Sequence, residues 1–161
     1  MKKYKFYLLF IPLLLILFLG CEKKDENGIA KMHWDRDMCE RCKMAISERK
    51  FAFMIVNPKS KKSYKFDDIG CGVLWLDEEK IPWKDDAIYW ITDAKDGHWI
   101  DAKTAYYTDE SITPMAYGLA AYSSEHKPSN MKILSFQDAI KVVYEVEEYN
   151  IKKVQELGKN R

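Results

Sequence analysis

Histidine is scarce in this chain of 161 residues, and the three histidines, His33, His98 and His126, form no closely spaced pair. A structural zinc site needs four ligands, which usually come as two pairs with characteristic spacing. Of the four cysteines, only Cys39 and Cys42 are close neighbours in sequence. The shortage of paired ligands therefore argues against a closed zinc site of the finger type.

The chain also lacks an excess of either charge, because 26 lysines and arginines balance 25 aspartates and glutamates. The one basic block is KSKK at residues 59–62, whereas a nucleic-acid partner calls for a basic patch or stripe. The chain also lacks an internal repeat, a Ser-His-Asp set and a pair of carboxylates placed for acid–base chemistry. We therefore expect neither a nucleic-acid-binding protein nor an enzyme.

The N-terminus has the pattern of a bacterial lipoprotein signal. Three lysines lie among the first five residues, residues 6–19 are apolar but too few for a comfortable membrane span, and a glycine precedes Cys21. This resembles a lipobox, although Phe18 stands where leucine is usual. We predict a lipoprotein signal peptide over residues 1–20 and a lipid on Cys21. A simple signal peptide or an uncleaved anchor is the alternative.

Residues 21–30 are largely polar and without pattern, as in a flexible tether. The remaining residues, 31–161, have the length of one folded domain. We therefore expect a domain tethered by the lipid to a membrane of the cell envelope and facing the periplasm.

Strand patterns dominate the middle of the domain. Strands are expected at residues 51–56, 63–66, 87–92, 98–102 and 106–108, and residues 119–123 are ambiguous. A short helix is expected over residues 73–79, after a break at residues 67–72. The clearest helix is expected from about residue 135, where Asp138 stands in the position of a capping-box acid. The class is therefore α+β, with small antiparallel sheets or hairpins and flanking helices.

The stretch RDMCERCKM at residues 36–44 contains the candidate site. If Cys21 carries a lipid, an odd number of thiols remains, so a pure disulfide framework would leave one over. In an oxidising compartment Cys39 and Cys42 either form a disulfide or are held as thiolates. Met44 adds a thioether, and thiolate with thioether is a soft ligand set that selects Cu(I). A thiol-disulfide redox protein and a structural lipoprotein with an inert disulfide remain the alternatives.

Two further segments carry candidate ligands. Met115 lies in a loop between Pro114 and Gly118, where a methionine is less expected to pack in the hydrophobic core. Asp67 and Asp68 precede Cys71. These three residues either provide a second metal position or belong to the start of a helix, and we favour aspartates that cap the helix.

Four motifs occur in order and together resemble the NosL family of nitrous oxide reductase accessory lipoproteins. They are DMCERCKM at 37–44, YKFDDIGC at 64–71, TD at 92–93 with GHWIDA at 97–102, and TPM at 113–115 with GLAAY at 118–122. With the lipobox, the resemblance extends to about residue 125. It departs at Lys43 and Ala116, where glycine is expected.

The resemblance implies a fold like that of the organomercurial lyase domain and the function of a lipid-anchored Cu(I) chaperone. Such a chaperone supplies copper to nitrous oxide reductase and works with an ABC-type transporter complex. Carried over residue by residue, the implied copper ligands are Cys39, Cys42, Met44 and Met115, with Cys71 as a further candidate.

Overall fold

The computed structural model describes residues 28–159, so the predicted signal peptide and most of the predicted tether lie outside the described residues. The chain divides into two compact units, residues 1–31 and residues 32–161. The regular elements described belong to the second unit: β1 (Phe53–Val56), β2 (Ser63–Phe66), α1 (Ile69–Glu78), β3 (Ile88–Thr92), β4 (Trp99–Asp101), β5 (Tyr106–Thr108), β6 (Ala120–Tyr122) and α2 (Phe136–Lys159). Within the described residues, no helix has both the length and the apolar character to cross a membrane.

An antiparallel sheet of four strands, in the order β2-β1-β3-β4, forms the centre of this unit. Strand β1 has the sequence FMIV and is buried along its whole length, because β2 and β3 flank it and α1 packs on it. Phe53 of β1 stacks on Tyr89 with ring centroids 5.9 Å apart, and Phe66 lies 5.4 Å from Trp75 of α1. Aromatic packing of this kind stabilises the layer between sheet and helix.

A short turn joins β1 to β2. The Asn57 side-chain oxygen accepts hydrogen bonds from the backbone N–H groups of Lys59 and Ser60, at 2.9 and 3.0 Å. Such a side-chain turn is the reason asparagine is favoured at the start of a reversal. The turn sets the register in which Val56 opposes Ser63.

Helix α1 begins at Ile69, whereas the sequence predicted a start at residue 73, and that boundary was wrong. Asp68 caps the helix, since its side chain accepts from the Gly70 N–H at 3.0 Å. A Cβ at Gly72 would lie 2.3 Å from the Phe53 ring. The sequence around Gly70 and Gly72 was interpreted as a break, but both glycines lie in the first turn of α1. Glycine is needed there because neighbouring rings leave no space for a Cβ.

Helix α2 begins one residue after the expected position, and Ser135 and Asp138 form its cap. The Asp138 N–H donates to Ser135 Oγ at 3.2 Å, and Ser135 Oγ donates to the Asp138 carboxylate at 2.7 Å. The first half of α2 packs on α1 and β5, burying Phe136, Ala139 and Val143. Residues 148–159 are exposed on every side.

Strands β5 and β6 form a second, two-stranded antiparallel sheet, which assigns the ambiguous segment around residues 119–123 to a strand. The predicted α+β class, with antiparallel sheets and flanking helices, is confirmed. The arrangement places α1 between the main sheet and α2, so the start of α1 can meet loops from two other parts of the chain.

Candidate metal centre

The segment of residues 37–45, here called the cysteine arm, is a tight reversal closed on itself. Met38 and Ala45 form an antiparallel bridge. The Cys39 N–H donates to the Met44 carbonyl at 2.8 Å, and the Lys43 N–H donates to the Cys39 carbonyl at 3.1 Å. These bonds fold the six residues from Cys39 to Met44 into a loop that presents both thiols.

The cysteine arm lies against the start of α1, and this brings three thiols and one carboxylate together. The ligand atoms of Cys39, Cys42, Cys71 and Asp67 all lie within 4.8 Å of one another. Cys39 and Cys71 are fully buried, while Cys42 is half-buried. All three cysteines are free thiols. The cluster is therefore buried except at Cys42, which is partly exposed to the surface.

The two adjacent aspartates have different roles. Asp68 caps α1, so the expectation of a helix cap is confirmed for this residue. Asp67 instead faces the thiols, with its Oδ2 3.5 Å from Cys42 Sγ. Its other oxygen, Oδ1, is buried and has no hydrogen-bond partner among the described residues. An unpaired buried carboxylate oxygen is costly, and a bound cation would satisfy it.

The thiols differ in acidity because they bond to one another. The hydrogen bond from the Cys71 thiol lowers the pKa of Cys39 to about 7. That same bond, together with burial, raises the pKa of Cys71 well above its usual range. Burial raises the pKa of Cys42 to about 11. Near neutral pH the Cys39 thiol of the metal-free cluster is thus partly ionised, whereas Cys42 and Cys71 hold their protons until a metal displaces them.

The spacing of the donor atoms fits a single metal ion. Bonds of ~2.3 Å place two thiolates on one tetrahedral ion roughly 3.8 Å apart. No two donor atoms of the cluster are more than 4.8 Å apart, at most about 1 Å beyond that separation, and Cys42 Sγ already lies 3.5 Å from Asp67 Oδ2. Small side-chain movements would therefore close the cluster around a metal.

The two methionines implied as ligands lie on loops that belong to this region. Met44 lies on the cysteine arm, next to Ala45, and 46% of its surface is exposed. The Met115 N–H donates to Asp68 Oδ2 at 3.3 Å, and the same oxygen accepts from Thr113 Oγ1 at 2.6 Å. The Met115 loop is thus tied by its backbone to the residue that follows Asp67.

Of the residues predicted from sequence, the structure gathers Cys39, Cys42 and Cys71 in one cluster, with Met44 and Met115 on the adjoining loops. Cys21 lies outside the described residues. Sequence reasoning did not assign Asp67 to the cluster. Asp67 stands four residues before Cys71 in the sequence, but it precedes the extended N-cap Asp68, so no helical spacing links the two residues.

A second group, Asp93, Asp96 and His126, also brings donor atoms within 4.8 Å. Asp93 is buried, and both of its oxygens are used. Oδ1 accepts from the Lys95 N–H, and Oδ2 accepts from the Ser123 N–H and from His126 Nδ1, both at 2.9 Å. The group is a hydrogen-bonded corner that joins the turn after β3 to the chain after β6.

Comparison with solved structures shows a similarity in fold. The crystal structure of the copper chaperone NosL from Shewanella denitrificans matches this chain with a TM-score of 0.52 and 17% sequence identity. The match covers 68% of this chain and 94% of that chain. No protein-family model and no curated protein matches at the level of sequence. The two chains therefore share a fold.

Proposed function

We propose that this protein is a Cu(I)-binding metallochaperone of the NosL type. The observation that carries the proposal is the cluster of Cys39, Cys42, Cys71 and Asp67, whose ligand atoms lie within 4.8 Å of one another in a fold shared with a copper chaperone. Three sulfurs dominate the donor set, and soft sulfur ligands select Cu(I) over hard cations. The proposal assigns no catalytic step.

The burial of the donors suggests how copper is taken up and released. Cys39 and Cys71 are fully buried, whereas Cys42 is half-buried and Met44 is largely exposed. A recipient's ligands would therefore meet copper from the side of Cys42 and Met44. A neutral thioether from Met44 or Met115 can be exchanged without separating charge, so copper can pass from donor to recipient one ligand at a time.

Zinc is the competing cargo. Three thiolates and one carboxylate make four protein ligands, the number that a tetrahedral zinc ion takes. The sequence argued against zinc because it showed one cysteine pair, but Cys71 and Asp67 complete a set of four. The decisive experiment titrates the reduced full-length chain in detergent with Cu(I) against a chromogenic Cu(I) chelator, and with Zn(II) against a zinc chelator. Stoichiometric Cu(I) binding that Zn(II) does not displace supports the proposal, and Zn(II) binding alone contradicts it.

Substitutions identify the ligands in the same titration. We expect Cys39→Ser, Cys42→Ser and Cys71→Ser each to weaken Cu(I) binding at least about tenfold, or ~1.4 kcal/mol. Met115→Leu and Met44→Leu should speed copper removal by the chelator, because each removes a thioether while preserving apolar volume. Met38→Leu is the control, since Met38 lies on the same arm and is 52% exposed. If the three serine variants compete as well as the parent, the site is wrongly assigned.

A thiol-disulfide redox protein is the second candidate, because the pKa of Cys39 is lowered to about 7. A lowered thiol pKa is typical of reactive cysteines. However, the cysteine arm is a reversal without a helix at Cys39, so the usual helix N-terminus is missing. A redox role predicts a disulfide that cycles between two states and tolerates Met44→Leu. The copper role predicts that metal binding, rather than disulfide cycling, depends on the thiols.

The proposed function also includes a location in the cell and partner proteins. We propose that Cys21 carries a lipid, that the domain faces the periplasm, and that copper passes to nitrous oxide reductase with the help of an ABC-type transporter complex. The resemblance of the motifs to the NosL family supports these assignments. Cys21→Ala should move the protein from the membrane fraction to the soluble fraction. Loss of the protein should lower the copper content of nitrous oxide reductase, measured in the purified enzyme.

A further inference from the structure

Arg41 lies between Cys39 and Cys42 in the cysteine arm, and its guanidinium group meets three other segments of the chain. Only 19% of its side chain is exposed. The sequence predicted no role for Arg41, and Arg41 is not a member of the proposed metal cluster. Its contacts connect the arm to α1, to α2 and to the Met115 loop.

The first connection runs to α1. Arg41 Nε lies 3.0 Å from each carboxylate oxygen of Glu78, and Nη2 lies 2.8 Å from Glu78 Oε1. Glu78 is the last residue of α1, and Cys71 lies on the same helix. This ion pair therefore holds the arm, with Cys39 and Cys42, against the helix that supplies the third thiol.

The second connection runs to α2 and to the Met115 loop. Arg41 Nη2 donates to Glu147 Oε1 at 2.8 Å, and Nη1 donates to the Tyr117 hydroxyl oxygen at 3.1 Å. The Tyr117 hydroxyl donates in turn to Glu147 Oε2 at 2.9 Å. Arg41, Glu147 and Tyr117 thus form a closed triangle of hydrogen bonds, and Tyr117 is two residues from Met115.

The Tyr117 ring transmits this connection to the cluster, because it is seated on the first turn of α1. Tyr117 is 3% exposed, and a Cβ added to Gly70 would lie 2.2 Å from its ring. Gly70 precedes Cys71 directly. The ring therefore fixes the distance between the Met115 loop and the part of α1 that carries the buried thiol.

Electrostatics make the connection specific for arginine. One guanidinium group serves two carboxylates, and the Glu147 side chain is only 25% exposed. Ionic hydrogen bonds of this kind are stronger than neutral ones. The planar fork of arginine can bond several acceptors at once, whereas lysine offers a single point charge. Loss of the cation would also leave two carboxylates close together.

We propose that Arg41 is the positioning residue of the metal cluster: it holds the cysteine arm closed against α1, with Cys39 next to Cys71, and its bonds to Glu147 and Tyr117 set how often the arm opens. The inference deepens the proposed function and rests on it for the consequence that opening of the arm governs copper release. The closed state itself requires no metal, so it can be tested separately.

The first test measures closure without metal. The reduced, metal-free full-length chain in detergent is alkylated, and the labelling rates of Cys39 and Cys42 are compared by mass spectrometry. Trypsin cleaves after Arg41, or after a lysine in its place, so the two cysteines fall on separate peptides. Glu147→Gln and Tyr117→Phe should raise the Cys39 rate relative to Cys42 by about tenfold, the effect of losing an ionic hydrogen bond worth ~1.4 kcal/mol.

The matched control is Glu148→Gln, the same change one residue along α2, where the carboxylate is exposed and pairs with Lys152. This control should label like the parent. Arg41→Lys should raise the Cys39 labelling rate as Glu147→Gln does, because one ammonium group cannot make all the hydrogen bonds of the guanidinium group. Equal Cys39 labelling in the parent, Glu147→Gln and Tyr117→Phe overturns the proposal, and so does a parent-like Arg41→Lys. Circular dichroism and thermal unfolding identify any variant that is globally unfolded.

The second test measures the consequence for copper. A chromogenic chelator in excess removes Cu(I) from the loaded parent and variants, and removal from Glu147→Gln should be about tenfold faster. Faster labelling with unchanged copper removal overturns the link between the arm and release. If the parent binds no Cu(I), the proposed function fails, while the labelling result still decides whether Arg41 holds the arm closed.

Discussion

At the scale of single residues, the two departures from the family resemblance lie at backbone positions of the same kind. Lys43 has φ 61° and Ala116 has φ 59°, both in the left-handed region. A side chain at such a position is strained, whereas glycine adopts it readily. The glycines that the resemblance leads one to expect thus have a physical reason, and this chain keeps the backbone of both loops without them.

The strain predicts that Ala116→Gly stabilises the protein by about 0.5–1 kcal/mol. Only a methyl group is removed, and the loop conformation is already the one that glycine prefers. Chemical denaturation of the metal-free chain would measure the gain. Ala94→Gly is the control, because the φ of Ala94 is not positive, and there the same change should destabilise. A loss of stability in Ala116→Gly would contradict the argument.

His126 predicts a pH dependence of stability. Its hydrogen bond to Asp93 raises the pKa of His126 above the usual 6.5. A raised folded-state pKa means that the stabilisation is complete below pH 6.5 and is lost as the pH rises through the folded-state pKa. The parent should therefore lose more stability than His126→Gln between pH 5.5 and 8.5, roughly the range over which histidine titrates.

Denaturation curves at a series of pH values would measure this difference. His98→Gln serves as the control, because His98 is a far more exposed imidazole on the same corner, with 83% of its side chain accessible. It should keep the pH dependence of the parent. If His126→Gln also keeps that dependence in full, Asp93 and His126 do not form the pair described.

At the scale of elements, α1 can approach the sheet closely because Gly72 has no side chain at the point of contact. A Cβ on Gly72 would lie 2.3 Å from the buried Phe53 ring. Gly72→Ala should therefore destabilise the protein by about 1–3 kcal/mol, the usual cost of overpacking a core. Gly158→Ala in α2 is the control, because nothing lies within 4 Å of it. Equal unfolding temperatures for the two variants would contradict the packing described.

Helix α2 shows how an element can satisfy its sequence pattern and still leave part of it unburied. Apolar residues recur at helical spacing throughout, and the helix forms over the whole stretch. Packing covers only the first half, so Ile151, Val154 and Leu157 are 50%, 68% and 62% exposed. Periodicity predicts which residues share a face, but the length of the surface opposite determines how many of them are buried.

At the scale of the whole molecule, the candidate site joins parts of the chain that are distant in sequence. A metal bound by the cysteine arm and by α1 would link residues 39–42 to residues 67–71, so the folded chain should bind it more tightly than the unfolded chain does. Cu(I) at 100 times its Kd should then add at most about 2.7 kcal/mol of stability, which is a rise in Tm of up to roughly 10 °C for a domain of this size.

Differential scanning fluorimetry of the reduced full-length chain, with and without Cu(I), would measure the rise. Mg²⁺ is the control cation, because it prefers oxygen ligands and should leave Tm unchanged. The double variant Cys39→Ser, Cys71→Ser should unfold at the same temperature with and without Cu(I). An undiminished rise in that variant would show that Cu(I) stabilises the protein from another site.

The sequence by itself determined what depends on near neighbours along the chain. Strand alternation, the Asn57 turn and the Ser135–Asp138 cap are local, and for that reason the α+β class and most elements could be predicted. The cysteine arm is local too, since its bonds span six residues. The tertiary structure alone decided that Asp67 and Cys71 complete the cluster and that Arg41 joins the arm to two helices. These contacts span from 25 to 106 residues, and no local pattern encodes them, because they arise from how α1, α2 and the arm pack together.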